Sequence, residues 1–183
     1  MSEKGMGSSV LRKEDFRFIT GKGKYTDDIN HPNQLYAYFL RSPVAHANLI
    51  SIETESAMSS PGVVAIYTGK DIDAYLPCGW ETPTKPGTPP MHEPPWPVFA
   101  KDKIRFVGEM IAVVIAETVN QAKDACELIN LEYEDLPAVV SPKKATEDSA
   151  PQIWDDIPNN ICFEWELGNK EETEKAFKEA EHH

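Results

Sequence analysis

The stretch Gly21-Lys22-Gly23-Lys24 most invites chemistry, because glycines beside lysines are the raw material of a phosphate-binding loop. Such a cradle needs a strand before it and a helix after it, so that amide donors converge at a helix start. Neither flank is periodic here and the third glycine is missing, so a turn in an extended arm is expected instead. The five histidines are His31, His46, His92, His182 and His183; none forms an i, i+4 pair and none lies near a cysteine. Metal coordination needs several such ligands converging, and this spacing does not announce it. His182-His183 reads equally as a native end or as the remnant of a purification tag.

Adjacent carboxylates occur at Asp27-Asp28, Asp155-Asp156 and Glu171-Glu172. Sequence neighbours on a strand or helix point apart, so these pairs read as solvated surface rather than as acid/base couples. No Ser, Cys or Thr sits in a nucleophile elbow. Cys78, Cys126 and Cys162 are spaced 48 and 36 apart, which is neither a disulfide framework nor a zinc pattern. Cys126 falls on the apolar face of an expected helix and reads as packing. Nothing visible lowers the pKa of Cys78. Gly108-Glu109, ahead of a buried run, admits two readings of equal weight: a carboxylate presented to a neighbouring domain, or a bulge with a solvated Glu. No catalytic, cofactor-binding or metal-ligating residue is assigned.

The surroundings of these residues are ordinary for a globular domain. The chain has 183 residues, 40% of them hydrophobic and 26% charged. A net charge of −12 argues against a nucleic-acid partner, which needs clustered Lys and Arg. Eleven Asp and Glu against three Lys lie between Glu147 and His183. A solvated acidic end is preferred there over a face that meets other subunits. No apolar stretch approaches the ~20 residues of a membrane span, and no secretory h-region follows Met1. A cytoplasmic location is expected.

Residues 1–34 read as an extended polar arm with turns at Gly21, Gly23 and Asn30-His31-Pro32. Leu35–Leu40 is apolar on both parities and reads as a strand covered on both faces. Strands are also expected at Asn48–Thr54 and Val63–Tyr67, with a helical turn at Ser56–Ser60 closed by Pro61-Gly62. Between Pro77 and Pro97 stand eight of the fifteen prolines, with Trp80 and Trp96; this is read as a long surface excursion. Order resumes at Lys103–Phe106. Met110–Ala116 reads as a buried central strand. A helix follows, with Thr118 and Gln121 as a capping box and Val119, Ala122, Ala125, Cys126 and Ile129 on its apolar face. Asn130–Asp135 alternates as a half-exposed strand with Leu131 and Tyr133 inward. Ile161–Leu167 reads as a strand. A last helix from Lys170 is capped by Asn169 with Glu172, its apolar side being Ala176, Phe177 and Ala180.

Several of these segments come in a telling order: Gly21–Ile29, Arg41-Ser42-Pro43-Val44-Ala45-His46-Ala47, Ser51-Ile52-Glu53-Thr54, Pro61-Gly62-Val63-Val64, Arg105-Phe106-Val107-Gly108-Glu109 through Val113–Thr118, and Tyr133–Val139. Over about residues 12–181 the chain resembles the N-terminal α/β-hammerhead domain of the xanthine dehydrogenase and aldehyde oxidase family, the molybdenum hydroxylases, and most of all its large subunits of carbon monoxide dehydrogenase type. Where that family commonly has proline after the Gly-Glu, this chain has Met110, which puts the local turn in question.

The resemblance implies a parent oxidoreductase that hydroxylates a carbon centre, or oxidises carbon monoxide, with oxygen from water. It would use molybdenum held by a pterin dithiolene, two [2Fe-2S] clusters and FAD. The family's cofactor-binding and catalytic residues lie downstream, so none is carried onto this chain. An inactive N-terminal fragment of the large subunit is therefore expected, a structural and subunit-contact domain. Its partners would be the remainder of that subunit and, because only a short arm precedes the domain, iron–sulfur and flavin subunits in trans, with the arm as a docking element. The expected fold is α+β: a hammerhead with a mixed β-sheet and one main packed helix near 118–128. Its expected divisions are an arm at 1–34, a core at 35–144 holding the Pro-rich loop 77–97, and an acidic segment at 145–183. The competing reading is a stand-alone binding module that uses the tryptophans of that loop.

Overall fold

A computed structural model describes residues 5–7, 9–76 and 90–182. The chain divides into two compact units, Met1–Leu35 and Tyr36–His183. The first is less extended than its composition suggests, since it contains a helix, α1 (Asp15–Ile19). Five residues are too few to print a 3.6-residue period in a sequence, and local bonds hold this turn instead: Arg12 Nε to Asp15 Oδ1 at 2.9 Å and Thr20 Oγ1 to the Phe16 carbonyl at 2.7 Å. The expected turns follow, with Gly21 at φ +69° and the Gln34 amide closing onto the His31 carbonyl at 3.2 Å.

The second unit holds β1 (Tyr36–Arg41), β2 (Ala47–Glu53), α2 (Glu55–Met58), β3 (Val63–Thr68), β4 (Tyr75–Leu76), β5 (Trp96–Pro97) and β6 (Lys103–Ile104). After these come β7 (Met110–Ala116), α3 (Val119–Glu127), β8 (Asn130–Asp135), α4 (Pro142–Ala145) and α5 (Lys170–Glu179). The class is α+β. Where a mixed sheet was expected, every described pairing is antiparallel, in sheets ordered β1-β7-β3, β6-β2-β8 and β4-β5. The strands flanking α3 therefore lie in different sheets; the apolar run of β7 and the alternation of β8 show how each is covered, not which neighbour it takes.

β7 is the middle strand of its sheet, and Ile111, Ala112, Val113 and Val114 are all buried in it. One of its faces meets α2 and α3 through Ala57, Ala112, Val114, Ala116, Ala122, Ala125 and Cys126. Ile111 packs instead with Ala47, Ala100 and Ile104, beneath the second sheet. Leu40, Ile52 and Leu131 border both clusters and so tie the two sheets together.

Four expectations are corrected. β1 is an edge strand, with Tyr38 and Phe39 partly exposed, because apolar residues on both parities do not guarantee a second neighbour. Val119, placed on the buried face of α3, is 41% exposed at its first turn. The capping box is half formed: Thr118 Oγ1 accepts the Gln121 amide at 3.2 Å, but Gln121 Oε1 accepts from the same hydroxyl instead of reaching the Thr118 amide. Residues 161–167 form no strand. The Pro-rich excursion lies largely outside the described residues at 77–89, yet its end is paired, Trp96 opposite Leu76 and Pro97 opposite Tyr75, at an edge where proline's missing donor is tolerated.

Candidate functional site

Two motifs noted in the sequence, Arg41–Ala47 and Arg105–Glu109, meet in space. Gly108, at φ +89°, reverses the chain ahead of β7, a conformation that favours glycine. Its amide donates to the Ser42 carbonyl at 2.9 Å and the Ser42 amide donates to the Glu109 carbonyl at 2.8 Å. Arg41 Nη1 donates to the Gly108 carbonyl at 2.9 Å. The Ser42 hydroxyl is consumed locally, accepting the Val44 amide at 3.1 Å and donating to the Val44 carbonyl at 2.7 Å. It is therefore a turn-closing group and not a nucleophile.

Glu109 follows neither reading made for it. Its side chain is 4% exposed and its Oε2 accepts the Arg105 amide at 2.6 Å, so the carboxylate closes its own turn instead of facing solvent or a neighbour. Burial raises its pKa from the ordinary carboxylate range, partly offset by the Arg105 amide and guanidinium. A glycine-acid pair says nothing about the direction of a side chain; the acid four residues after Arg105 was the signal that a loop could close there. Met110 begins β7 without disturbing the turn: its carbonyl accepts the Ala100 amide at 2.8 Å.

His46, one residue ahead of β2, is 6% exposed. Its Nδ1 lies 2.8 Å from the Pro137 carbonyl, which only accepts, so Nδ1 donates in this bond. Its Nε2 has no partner among the described residues, and neither has the buried Arg105 Nε. Ala47 opposes Ile104, so His46 and Arg105 each lie one residue beyond the end of this ladder. The Arg105 guanidinium stacks on Trp154 at 3.9 Å and donates to the Lys103 carbonyl at 3.1 Å. No local period marks His46 as inward, because it lies in a bend ahead of β2 and not in the strand itself.

The remaining candidates stay apart. Asp28 Oδ2 accepts the Tyr25 amide at 2.8 Å, Asp155 Oδ1 meets Lys103 Nζ at 3.4 Å, and the Glu172 amide donates to Asn169 Oδ1 at 3.2 Å. Cys126 is buried, its thiol donates to the Tyr38 carbonyl at 3.6 Å, and burial pushes its pKa up to about 11. Cys78, Trp80 and His183 lie outside the described residues. Trp96 is half-exposed and packs edge-on to Phe106, centroids 6.1 Å apart. Among the described residues no group of three or more His, Cys, Asp or Glu could hold a metal ion. What this arrangement can do chemically is hold two sheets and a reversing loop in one geometry.

The family model for "Aldehyde oxidase and xanthine dehydrogenase, a/b hammerhead domain" matches residues 20–137. The large subunit of nicotine 6-hydroxylase from Paenarthrobacter nicotinovorans is 39% identical over 178 residues, covering 97% of this chain and 21% of that protein. The large chain of carbon monoxide dehydrogenase from Afipia carboxidovorans is 38% identical, covering 97% of this chain and 22% of that one. Among solved structures, the Cu,Mo carbon monoxide dehydrogenase in its carbon monoxide reduced state superposes with a TM-score of 0.75 at 36% identity, over 97% of this chain and 23% of that chain. Quinoline 2-oxidoreductase from Pseudomonas putida 86 gives a TM-score of 0.64 at 38% identity, over 79% of this chain and 18% of that one. The chain thus spans little more than a fifth of the length of these large-subunit relatives.

Proposed function

The chain belongs to the aldehyde oxidase and xanthine dehydrogenase family, the molybdenum hydroxylases, as its a/b hammerhead domain, and we propose that it serves as a structural and subunit-contact piece of a large subunit whose chemistry lies elsewhere. One observation carries this reading. Nearly the whole chain matches large subunits named for nicotine and for carbon monoxide at almost equal identity, 39% and 38%. A segment that read the substrate would separate such different molecules, so substrate choice belongs to other parts of the protein.

The family's cofactors would be molybdenum bound by a pterin on the large subunit, with [2Fe-2S] clusters and FAD on partner subunits. Among the described residues the donors do not fit a cluster or a metal centre. A cluster takes several convergent thiolates, whereas Cys126 is a buried, protonated thiol beside the Tyr38 carbonyl. No reaction step is assigned to this chain. The stand-alone module is not favoured, since the match runs across the chain rather than gathering at Trp96.

Residues 1–34 serve as an arm that docks an iron–sulfur subunit in trans; Val10, Leu11, Phe16 and Ile19 are all well exposed along it. Among the described residues no helix is long and apolar enough to cross a membrane, and we place the assembled enzyme in the cytoplasm. The test compares the purified chain with the complete large subunit co-expressed with its iron–sulfur and flavin partners. The chain is expected to hold no stoichiometric molybdenum and to oxidise neither carbon monoxide nor an aldehyde with an artificial electron acceptor, while the complex does one or the other. Turnover by the chain alone overturns the reading.

A further inference from the structure

A groove of about 580 Å³ runs beside the edge strand β1. Its walls are Ala37–Arg41 of β1 and Lys123, Cys126 and Glu127 of α3. Successive residues of a strand point to opposite faces, yet every residue from Ala37 to Arg41 lines the groove, so it follows the edge of β1 and not one face of the sheet. Along an edge, every second residue turns its amide and carbonyl away from the neighbouring strand. Such groups are a template for a further strand, and five residues offer about 13 Å of it at ~3.3 Å per residue.

The side chains add a chemistry to the template. The Lys123 ammonium lies 5.5 Å from the centre of the Tyr38 ring and the Arg41 guanidinium 6.0 Å from that of Phe39. Tyr38 and Phe39 are 40% and 39% exposed. Two cations against the one carboxylate of Glu127 make the groove basic in a chain whose net charge is −12. Cys126 contributes no charge, because its buried thiol donates to the Tyr38 carbonyl at 3.6 Å. An extended segment that lays apolar atoms on the two rings and brings carboxylates to the two cations matches this groove.

The source of that segment is narrowed by length and by charge. The large-subunit relatives match 97% of this chain over only 21% and 22% of their own length, so the same domain is tethered in them to several times as much polypeptide. A tethered strand meets a groove at far higher effective concentration than a free one. A second copy is disfavoured, because each copy carries a net charge of −12.

We infer that an acidic, extended segment of the further polypeptide of the large subunit pairs along the outer edge of β1, with its carboxylates at Lys123 and Arg41. The inference rests on the chain being a piece of such a subunit. Hydrogen exchange read by mass spectrometry tests it, on the chain alone and on the complete large subunit in its complex. The peptide spanning 36–41 is expected to gain about three slowly exchanging amides in the complete subunit, one for each residue turned away from β7. Lys123→Gln is expected to leave the thermal midpoint of the isolated chain close to wild type, since the site is exposed, and to speed exchange of those amides in the complete subunit about tenfold. Lys123→Arg is expected to keep the protection. A carbodiimide, which joins an ammonium to a carboxylate in contact with it, is expected to link Lys123 of the complete subunit to an Asp or Glu outside residues 1–183.

Equal exchange in the two forms, wild-type exchange in Lys123→Gln, or a Lys123 link found only within residues 1–183, to a second copy, or to an iron–sulfur or flavin subunit would each overturn the inference. The hydroxylase reading fails separately. A complex without molybdenum or turnover, but with 36–41 protected and Lys123 linked as expected, sinks that reading and leaves this pairing standing.

Discussion

The Arg105 amide points at Glu109 Oε2 across 2.6 Å, and this bond places a carboxylate inside the turn that delivers the central strand β7. The turn is also bonded to Ser42 in both directions. Two segments more than sixty positions apart in sequence therefore share one small polar junction, with a raised Glu109 pKa as its signature.

That signature has a sign. Burial raises the folded-state pKa of Glu109 above its unfolded value, so its contribution to stability is complete below the unfolded pKa and is lost as pH rises through the folded one. Glu109→Gln removes the titration and keeps an oxygen for the Arg105 amide. Urea midpoints between pH 4 and pH 8 are expected to show the wild type losing stability relative to the variant as pH rises. A constant difference across that range contradicts the account.

Thr118 is the N-cap of α3, accepting the Gln121 amide. Thr118→Ala is expected to cost about 1 kcal/mol in chemical denaturation, and Thr118→Ser to keep most of it.

Gly62 sits at φ +77°, and a methyl group there would strike the Gln121 side chain. Gly62→Ala is expected to destabilise by about 1–2 kcal/mol from the backbone conformation alone, with the clash added. Adding Gln121→Ala relieves the clash but not the backbone, so the double variant is expected to recover part of the loss. Full recovery would mean that the positive φ is not maintained in solution.

Burial raises the Cys126 pKa from 9.0 to about 11. The stabilising contribution of the neutral thiol is thus held below pH 9 and lost as pH climbs toward 11. At pH 8 alkylation mapped by peptide mass spectrometry is expected to leave Cys126 unmodified in the native chain and to label it in denaturant.

Ile111 is fully buried between β7 and the second sheet, whereas Val64 on β3 is 49% exposed. Ile111→Ala is expected to cost about 2–5 kcal/mol, and Val64→Ala well under half of that.

Where burial was complete or bonding local, the sequence was legible. The run Met110–Ala116 announced a covered strand because a strand buried on both faces can dispense with polar residues. Thr118 and Asn169 announced helix starts because a cap is decided within four residues. What could not be read was set across long separations. The allocation of β7 and β8 to different sheets depends on Tyr36 meeting Ala116 and Ala47 meeting Asp135, and no local period records either pairing. The burial of Glu109 depends on a glycine conformation and on Ser42, far away in sequence.

The order β1-β7-β3 also bears on how the chain is made. Tyr36–Arg41 and Val63–Thr68 leave the ribosome early, and neither pairs with the other; both await Met110–Ala116. Between the emergence of Thr68 and that of Met110 the nascent chain thus displays two apolar ribbons with nothing to join. Co-translational collapse into the correct topology can begin only when their common bridge emerges, which makes this interval the one in which a chaperone would matter most.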